Sequence, residues 1–310
     1  MKPALSIVFF TTLAGSAQGL LVALAVAVLL GQPMSAGFLS AALAVAFVLL
    51  MVGLVSSFFH LGRPERAWRS ALMWRTSWMS REVIVLPAFI GLVALWWLAV
   101  WTETRAASQL LLPVAAIVGA AVLWYCTAMI YACLRFIEEW AHPLTIVNYT
   151  LIGLSSGLIL TCALAAMFGE ANLLAAAAPF ALGATLAAWL TRTLALRRNA
   201  TLKPKSTLQT ATGIRSPQLV QKSMGMSAGS YNTREFFHGA SAIAVKQAKL
   251  ALIVLGFAVP AALLLWGLLG GPAFTWVLAL LVQAPGLFAE RWFFFAQARH
   301  PQNLYYQAVS

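Results

Sequence analysis

The chain has 310 residues, of which 62% are hydrophobic and only 9% are charged. A water-soluble domain carries about 25% charged residues to keep its surface hydrated. This composition therefore excludes a soluble globular protein and predicts that membrane lipid covers most of the surface. The net charge of +12 would suit a nucleic-acid binder. However, the basic residues cluster between apolar runs, as in the loops of membrane proteins, which argues against nucleic acid as a partner.

Eight apolar runs are each long enough to cross a bilayer, which takes about 20 helical residues. The predicted fold class is therefore an all-α integral membrane protein with eight transmembrane helices. In chain order, the predicted spans are 5–30, 37–60, 82–101, 110–134, 146–168, 174–194, 249–269 and 273–295.

The polar connections divide the chain into three regions. Residues 1–194 hold helices 1–6 with the loop 61–81, residues 195–248 form a long loop and docking segment, and residues 249–310 hold helices 7 and 8 and a tail. Of the 20 basic residues, all but Arg105 fall on one side of the predicted bilayer. Positive charge marks the cytoplasmic side. We therefore expect a multi-pass protein of the bacterial cytoplasmic (inner) membrane with both termini in the cytoplasm.

Two polar segments, half the chain apart, resemble each other. Residues Ser77–Glu82 and Ser230–Glu235 both read Ser, aromatic, any residue, Ser or Thr, Arg, Glu. Each suits a helix start, where a hydroxyl caps the first amides and a carboxylate lies near the positive end of the helix dipole. Two capped starts can also arise independently, but the match favours two parallel-repeated four-helix units. From about Thr233 a helical pattern leads toward helix 7, with Phe236 and Phe237 on its apolar face, as an interfacial helix or as the extended start of helix 7.

The candidate chemistry lies at the predicted cytoplasmic face. His60 ends helix 2 and Glu82 begins helix 3, so a short loop brings the two side chains to one depth. A histidine and a carboxylate at the bilayer edge suit proton-coupled reaction of a lipid-soluble quinone, because each ring oxygen needs a partner that exchanges a proton. The other residues predicted to line this quinone site are Arg63, Trp74, Trp78 and Arg81.

Several alternatives stay open at this point. Arg, Trp and His near helix ends also serve as ordinary interfacial anchors that contact lipid headgroups. A transporter is the alternative from another class, but it normally needs ionisable groups near the midplane, and the sequence indicates none there. A third alternative is a purely structural anchor.

No cofactor other than quinone is expected in this chain. Cys126, Cys133 and Cys162 lie in apolar runs without CxxC spacing, so they cannot ligate an iron–sulfur cluster by themselves. A b-type haem needs two axial histidines that face each other across a bundle. All four histidines fall at helix ends or beyond them, which argues against haem b.

These residues resemble the membrane anchor subunits of the dimethyl sulfoxide reductase type, within the polysulfide-reductase-like quinone-reactive anchors. The resemblance implies that the chain anchors a molybdopterin catalytic subunit through an iron–sulfur subunit and exchanges electrons with menaquinone or ubiquinone. It also implies that His60 and Glu82 are the functional pair. It rests on the eight helices and on the segments His60-Leu61-Gly62-x-Pro64, Ser80-x-Glu82, Glu138-Glu139-Trp140 to Asn148-Tyr149, Asn232–His238 and Arg299–Asn303.

The resemblance also concerns the partner subunits. Because the motifs lie on the basic side, the iron–sulfur and molybdopterin subunits are expected on the cytoplasmic side. That orientation, with the stretch from Ser230 to Gly239, resembles the branch that serves sulfite dehydrogenase. This resemblance favours a complex that oxidises sulfite and reduces quinone over a complex that reduces sulfoxide and oxidises quinol. The predicted docking residues are Arg234, Glu235, His238, Arg299 and His300.

Overall fold

The computed structural model of the protein describes residues 1–59, 61–104, 107–223 and 235–305. Within these ranges the regular structure is helical, and eight helices are long and apolar enough to cross a membrane. The prediction of an all-α protein with eight spans is confirmed. The spans are α1 (Leu5–Leu29), α2 (Ala36–Phe58), α3 (Trp78–Trp101), α4 (Leu112–Ala132), α5 (Pro143–Phe168), α6 (Ala171–Thr201), α7 (Ala242–Leu268) and α8 (Phe274–Ala296).

Helix α3 begins at Trp78, four residues before the predicted start. The Ser77 hydroxyl accepts a hydrogen bond from the Ser80 amide, with 3.3 Å between the two atoms, and so caps the helix. The prediction that a hydroxyl of this segment caps the helix start is therefore confirmed, and the hydroxyl is that of Ser77. As a consequence, Glu82 lies in the second turn of α3 and not at its first residue.

Helix α6 continues to Thr201, beyond the predicted end at residue 194. Charged residues near this end suggested a loop, but Arg192 is buried inside the bundle and only 2% exposed. The polar connection therefore begins after Thr201. It contains a five-residue helical turn, Leu208–Thr212.

Helix α7 begins at Ala242, where the Ser241 hydroxyl accepts a hydrogen bond from the Ala244 amide. The expectation that Phe236 and Phe237 share its apolar face is wrong, because both residues precede the helix. The earlier part of the second polar segment, residues 230–234, lies outside the described residues. Glu235 is described, but it does not begin α7.

The eight helices form two groups of four. Helices α1 to α4 pack in a closed ring, α5 to α8 pack in a second one, and α1 lies against α5 where the two rings meet. This arrangement agrees with the predicted pair of four-helix units. The common origin of the two units stays a prediction.

Close backbone contact holds α1 and α5 together at this seam. Gly15 and Gly19 lie on one face of α1, and Gly153 and Gly157 lie on the opposing face of α5. A β-carbon added at Gly157 would overlap the backbone of Gly19. Since lipid tails are as apolar as leucine, helices in a membrane associate through such close packing of small residues.

Candidate functional site

The Glu82 carboxyl lies inside the bundle between α3 and α4, and the residue is 8% exposed. The Thr127 hydroxyl of α4 donates a hydrogen bond to Glu82 Oε1. Among the described residues, no arginine or lysine lies within ion-pair distance of this carboxyl. His60, the predicted partner of Glu82, lies outside the described residues. The structure therefore presents Glu82 as a buried carboxyl held by a neutral hydroxyl.

Arg81 fixes the loop that leads into α3. Its guanidinium lies over the Trp78 ring, 4.0 Å from the ring centroid. Arg81 Nε donates to the Trp74 carbonyl at 2.9 Å, and Nη2 donates to the Arg75 carbonyl at 2.8 Å. Trp78 in turn packs edge-on against Tyr125 of α4, with the ring centroids 5.3 Å apart. The side chains of Arg81, Trp78 and Tyr125 form an aromatic and cationic wall, and Trp78 lies one helical turn before Glu82.

The connection between α2 and α3 forms a 3-10 helix, Pro64–Met73, in which no residue is buried. Trp68 and Trp74 are exposed, and Arg63 stands exposed just before the first turn. Exposed tryptophans mixed with arginines are typical of a segment that lies in the headgroup region of a bilayer. Of the predicted quinone-site residues, the structure thus brings Glu82, Trp78 and Arg81 close together and places Arg63 and Trp74 on the loop.

The predicted docking residues gather at the same end of the bundle. The Lys2 amide donates to the Glu235 carbonyl at 3.0 Å. The His300 ring stacks on Phe236 with the centroids 3.7 Å apart, and Asn303 Nδ2 donates to the Phe236 carbonyl at 3.0 Å. The N-terminus, the segment before α7 and the C-terminal tail therefore form one surface.

Two further docking residues belong to this surface. Arg299 is exposed, and its amide lies 3.4 Å from Glu139 Oε2. His238 is also exposed. Burial, followed by the nearby N-terminal amino group, lowers the pKa of His300. Arg234 lies outside the described residues.

A buried ion cluster joins α6 to α8, and the sequence did not reveal it. Arg192 Nε lies 2.8 Å from Glu290 Oε1, and Arg291 Nε lies 2.6 Å from Glu290 Oε2. All three side chains are at most 5% exposed. The Arg291 guanidinium also lies over the Tyr149 ring of α5, 4.0 Å from its centroid. One carboxylate thus holds two buried cations.

The sequence reasoning missed this cluster because it counted Arg192 with the basic residues of the cytoplasmic side and placed Glu290 near the end of helix 8. A usable signal was present: Glu290 and Arg291 lie within the last predicted apolar run, 273–295. Ionisable residues inside such a run almost always face the bundle interior and pair with one another. Arg192, likewise within its predicted span 174–194, was the candidate partner.

The described structure offers no alternative centre for a metal. Among the described residues, no three His, Cys, Asp or Glu side chains come close enough to hold a metal ion. Cys126 and Cys162 are buried and Cys133 is exposed, and none of them forms a disulfide.

Eight apolar helices, with most of the basic side chains at one end, define a multi-pass membrane protein. The family model described as DMSO reductase anchor subunit (DmsC) matches residues 1–219, and the chain belongs to this family. It is also similar to a sulfite dehydrogenase subunit from Allochromatium vinosum. The two are 46% identical over 326 aligned positions that cover 100% of both chains.

These comparisons confirm the family predicted from the motifs. The chain is the membrane anchor of an oxidoreductase complex of the DMSO reductase family, and such an anchor works with catalytic partners. Membership also favours an anchor over a transporter built on the same number of helices.

Proposed function

We propose that this chain is the quinone-reactive anchor of a sulfite-oxidising complex. Electrons pass from a molybdopterin catalytic subunit through an iron–sulfur subunit to quinone in the membrane. The full-length similarity to the sulfite dehydrogenase subunit of Allochromatium vinosum supports sulfite as the electron donor. The observation that carries the quinone assignment is the Glu82 carboxyl, buried beside Thr127 and without a described ion-pair partner.

The chemistry of quinone explains why such a carboxyl is suitable. Reduction to quinol takes up two electrons and two protons, and the protons must reach the ring oxygens in a region of low dielectric constant. A buried carboxyl without a cation is costly to ionise, so it readily carries a proton. In our proposal Glu82 hydrogen-bonds one ring oxygen and transfers a proton to it, Thr127 orients the carboxyl, and His60 serves the second oxygen.

The surroundings of Glu82 fit a flat apolar headgroup with a long tail. Trp78 and Tyr125 provide aromatic surface beside Glu82, and Tyr125 is itself exposed on the outer surface of the bundle. The loop with Trp74 and Arg63 covers the same end at headgroup depth. A quinone entering from the lipid would meet aromatic rings first and the carboxyl behind them.

The partner subunits are proposed to dock on the basic end, in the cytoplasm. The eight spans of the described residues support both termini on one side of the membrane, and the distribution of Lys and Arg supports the cytoplasm as that side. The contact area in this proposal is the surface formed by Glu235, His238, Arg299 and His300. Arg234 lies outside the described residues. The location of this surface at the end of the bundle that holds Glu82 keeps the electron path short.

The test replaces the carboxyl while keeping its shape. In the purified complex, Glu82→Gln should lower electron transfer from sulfite to a soluble ubiquinone analogue by at least about a hundredfold, the usual contribution of a positioned acid–base group. The parallel change His60→Gln should have an effect of the same order. Electron transfer from sulfite to an artificial dye that accepts electrons from the soluble subunits should stay unchanged.

Glu65→Gln is the matched control, because Glu65 lies on the adjacent loop but is exposed. It should leave quinone reduction unchanged. Full quinone reduction by the Glu82→Gln complex would contradict the assignment.

The second candidate function is that of a sulfoxide reductase anchor that oxidises quinol, and the description of the matching family favours it. The same complex distinguishes the two. Sulfite-dependent quinone reduction supports the first function, and quinol-dependent reduction of dimethyl sulfoxide without sulfite oxidation supports the second.

A further inference from the structure

Two small cavities lie side by side inside the bundle at its basic end. The outer cavity opens among Glu139 and His142, which are half-buried, and reaches the buried Arg192. The inner cavity lies between α1, α4 and α5. Tyr149 and Arg291 line both cavities, so this ring and the guanidinium over it form the shared wall.

Buried polar atoms without partners line both cavities. Buried polar groups are normally hydrogen-bonded, to ordered water where protein supplies no partner. The cavities measure about 10 and 20 Å³, which is room for about one water molecule each. The atoms that lack a hydrogen-bond partner among the described residues are Thr12 Oγ1, Trp124 Nε1, Asn148 Oδ1, Tyr149 Oη, Arg192 Nη2 and Arg291 Nη1.

The inner cavity ends at the candidate quinone site. Thr127 lines this cavity, and its hydroxyl donates to Glu82. The outer cavity ends at the surface beside His142. Burial, followed by the charge of Arg198, lowers the pKa of this histidine, which favours its neutral form. Polar side chains therefore line both cavities between His142 and Thr127, the hydrogen-bond partner of Glu82.

We propose that these two cavities hold water and form a proton path between the basic end of the bundle and Glu82. This inference rests on the function proposed above. The quinone ring takes up two protons with two electrons from the iron–sulfur partner, and the protons arrive through the path. When quinol is oxidised, the two protons leave by the same path. Tyr149 is its midpoint, because its hydroxyl is in the wall shared by the two cavities.

The ion cluster has a positioning role in this path. Glu290 binds both Arg192 and Arg291, which offsets one of their two positive charges and lowers the repulsion that a passing proton would meet. The same two ion pairs hold Arg291 against Tyr149. The cluster thus keeps the shared wall in place, and no proton needs to leave Glu290.

The first test measures water and does not depend on catalysis. X-ray radiolytic footprinting of the intact complex oxidises buried side chains that contact ordered water. Trp124 lines the inner cavity with its indole nitrogen unpartnered among the described residues. Trp96 is its matched control, since it is fully buried and its nitrogen donates to the Ser108 carbonyl at 3.0 Å. Trp124 should be oxidised several times faster than Trp96, and equal rates would overturn the proposal.

The second test interrupts the path without touching Glu82. Tyr149→Phe removes the hydroxyl but keeps the ring under Arg291, and Thr12→Val replaces a hydroxyl of the inner cavity with a methyl of equal size. Each change should lower quinone-linked turnover about tenfold and leave the KM for quinone unchanged. Each should also increase the solvent isotope effect, which is the ratio of turnover in H2O to turnover in D2O. Thr161→Val is the control, because the hydrogen bond of this buried hydroxyl among the described residues goes to the Gly157 carbonyl of its own helix.

The outcomes separate this inference from the proposed function. Full turnover in both path variants, with loss in Glu82→Gln, would reject the path and leave the quinone site standing. Full turnover in Glu82→Gln would reject the site itself, whatever the footprinting shows. Should Tyr149→Phe fail to assemble, Thr12→Val and the footprinting of the unaltered complex decide.

Discussion

Glu82 and Glu290 are both buried carboxyls near the basic end, one in each four-helix unit, and their surroundings differ in one respect. Glu290 lies between two arginines at 2.8 and 2.6 Å, whereas Glu82 has the hydroxyl of Thr127 as its hydrogen-bond donor among the described residues. A carboxylate paired with two cations keeps its charge and stabilises the packing of its helices. A carboxyl held by a hydroxyl remains free to exchange a proton, so chemistry is expected in the first unit and structural support in the second.

The largest effect is expected when the charge of Glu290 is removed. Glu290→Gln leaves Arg192 and Arg291 buried without a counterion, which typically costs about 3–5 kcal/mol. The thermal unfolding midpoint of the detergent-solubilised complex should fall sharply, and the amount of assembled complex should fall with it. Equal thermal unfolding midpoints for Glu290→Gln and Glu82→Gln would contradict the view that Glu290, unlike Glu82, has mainly a structural role.

The seam between the two units should tolerate little added volume. Gly157→Ala places a methyl group against the α1 backbone at Gly19, and overpacking of this kind costs about 1–3 kcal/mol. Gly183→Ala is the matched control, because a β-carbon there meets no atom within 4 Å. Thermal unfolding should separate the two variants, with a loss only in the first. Equal midpoints would mean that the two units are not held by this contact.

An effect on stability of about the same size is expected from Thr127→Val. The change removes the hydroxyl that donates to Glu82 and leaves a buried acceptor unsatisfied, which costs about 1–3 kcal/mol. Quinone reduction should decline along with the stability, since the carboxyl loses its orientation. Measuring the KM for quinone separately from kcat distinguishes loss of orientation from loss of the site. An unchanged kcat would remove Thr127 from the proposed mechanism.

The smallest effect is expected at the surface. Glu138 Oε1 lies 3.0 Å from Lys205 Nζ, but the lysine side chain is 77% exposed. Solvent screens such a pair, so Glu138→Gln should cost less than about 1 kcal/mol. Measuring the thermal unfolding of both Glu138→Gln and Glu290→Gln compares an exposed ion pair with a buried one in the same protein. A large loss at Glu138 would indicate that the surface contributes more than its exposure suggests.

Much of the fold could be predicted from the sequence, because a bilayer requires about 20 apolar residues for each span. The boundaries were wrong where polar groups are satisfied inside the helices. Helix α6 continues beyond residue 194, and in the added part Arg198 Nη1 donates to the Glu138 carbonyl at 3.0 Å. Helix α7 begins only at Ala242, because its cap is Ser241 and not the earlier polar segment.

The candidate site was predictable in part for the same physical reason. A carboxylate beside an apolar run is conspicuous, so Glu82 was identified from the sequence. Thr127 was not identified, because no sequence pattern marks a threonine in an apolar helix as a site residue. Its partner Glu82 also lies 45 residues away in the chain. The contact of Arg192 with Glu290 likewise depends on how α6 packs on α8, which no local spacing encodes.

The glycine seam has a consequence for membrane insertion. Ser16 and Ser156, which hydrogen-bond across this seam at 3.0 Å, are 140 residues apart. At a synthesis rate of about 5–20 residues per second, α1 waits roughly 7 to 28 s before α5 emerges. During that time its small-residue face has no protein surface to pack against. The insertion machinery must therefore shelter α1 or leave it facing lipid, and quality control has a window in which to recognise incomplete chains.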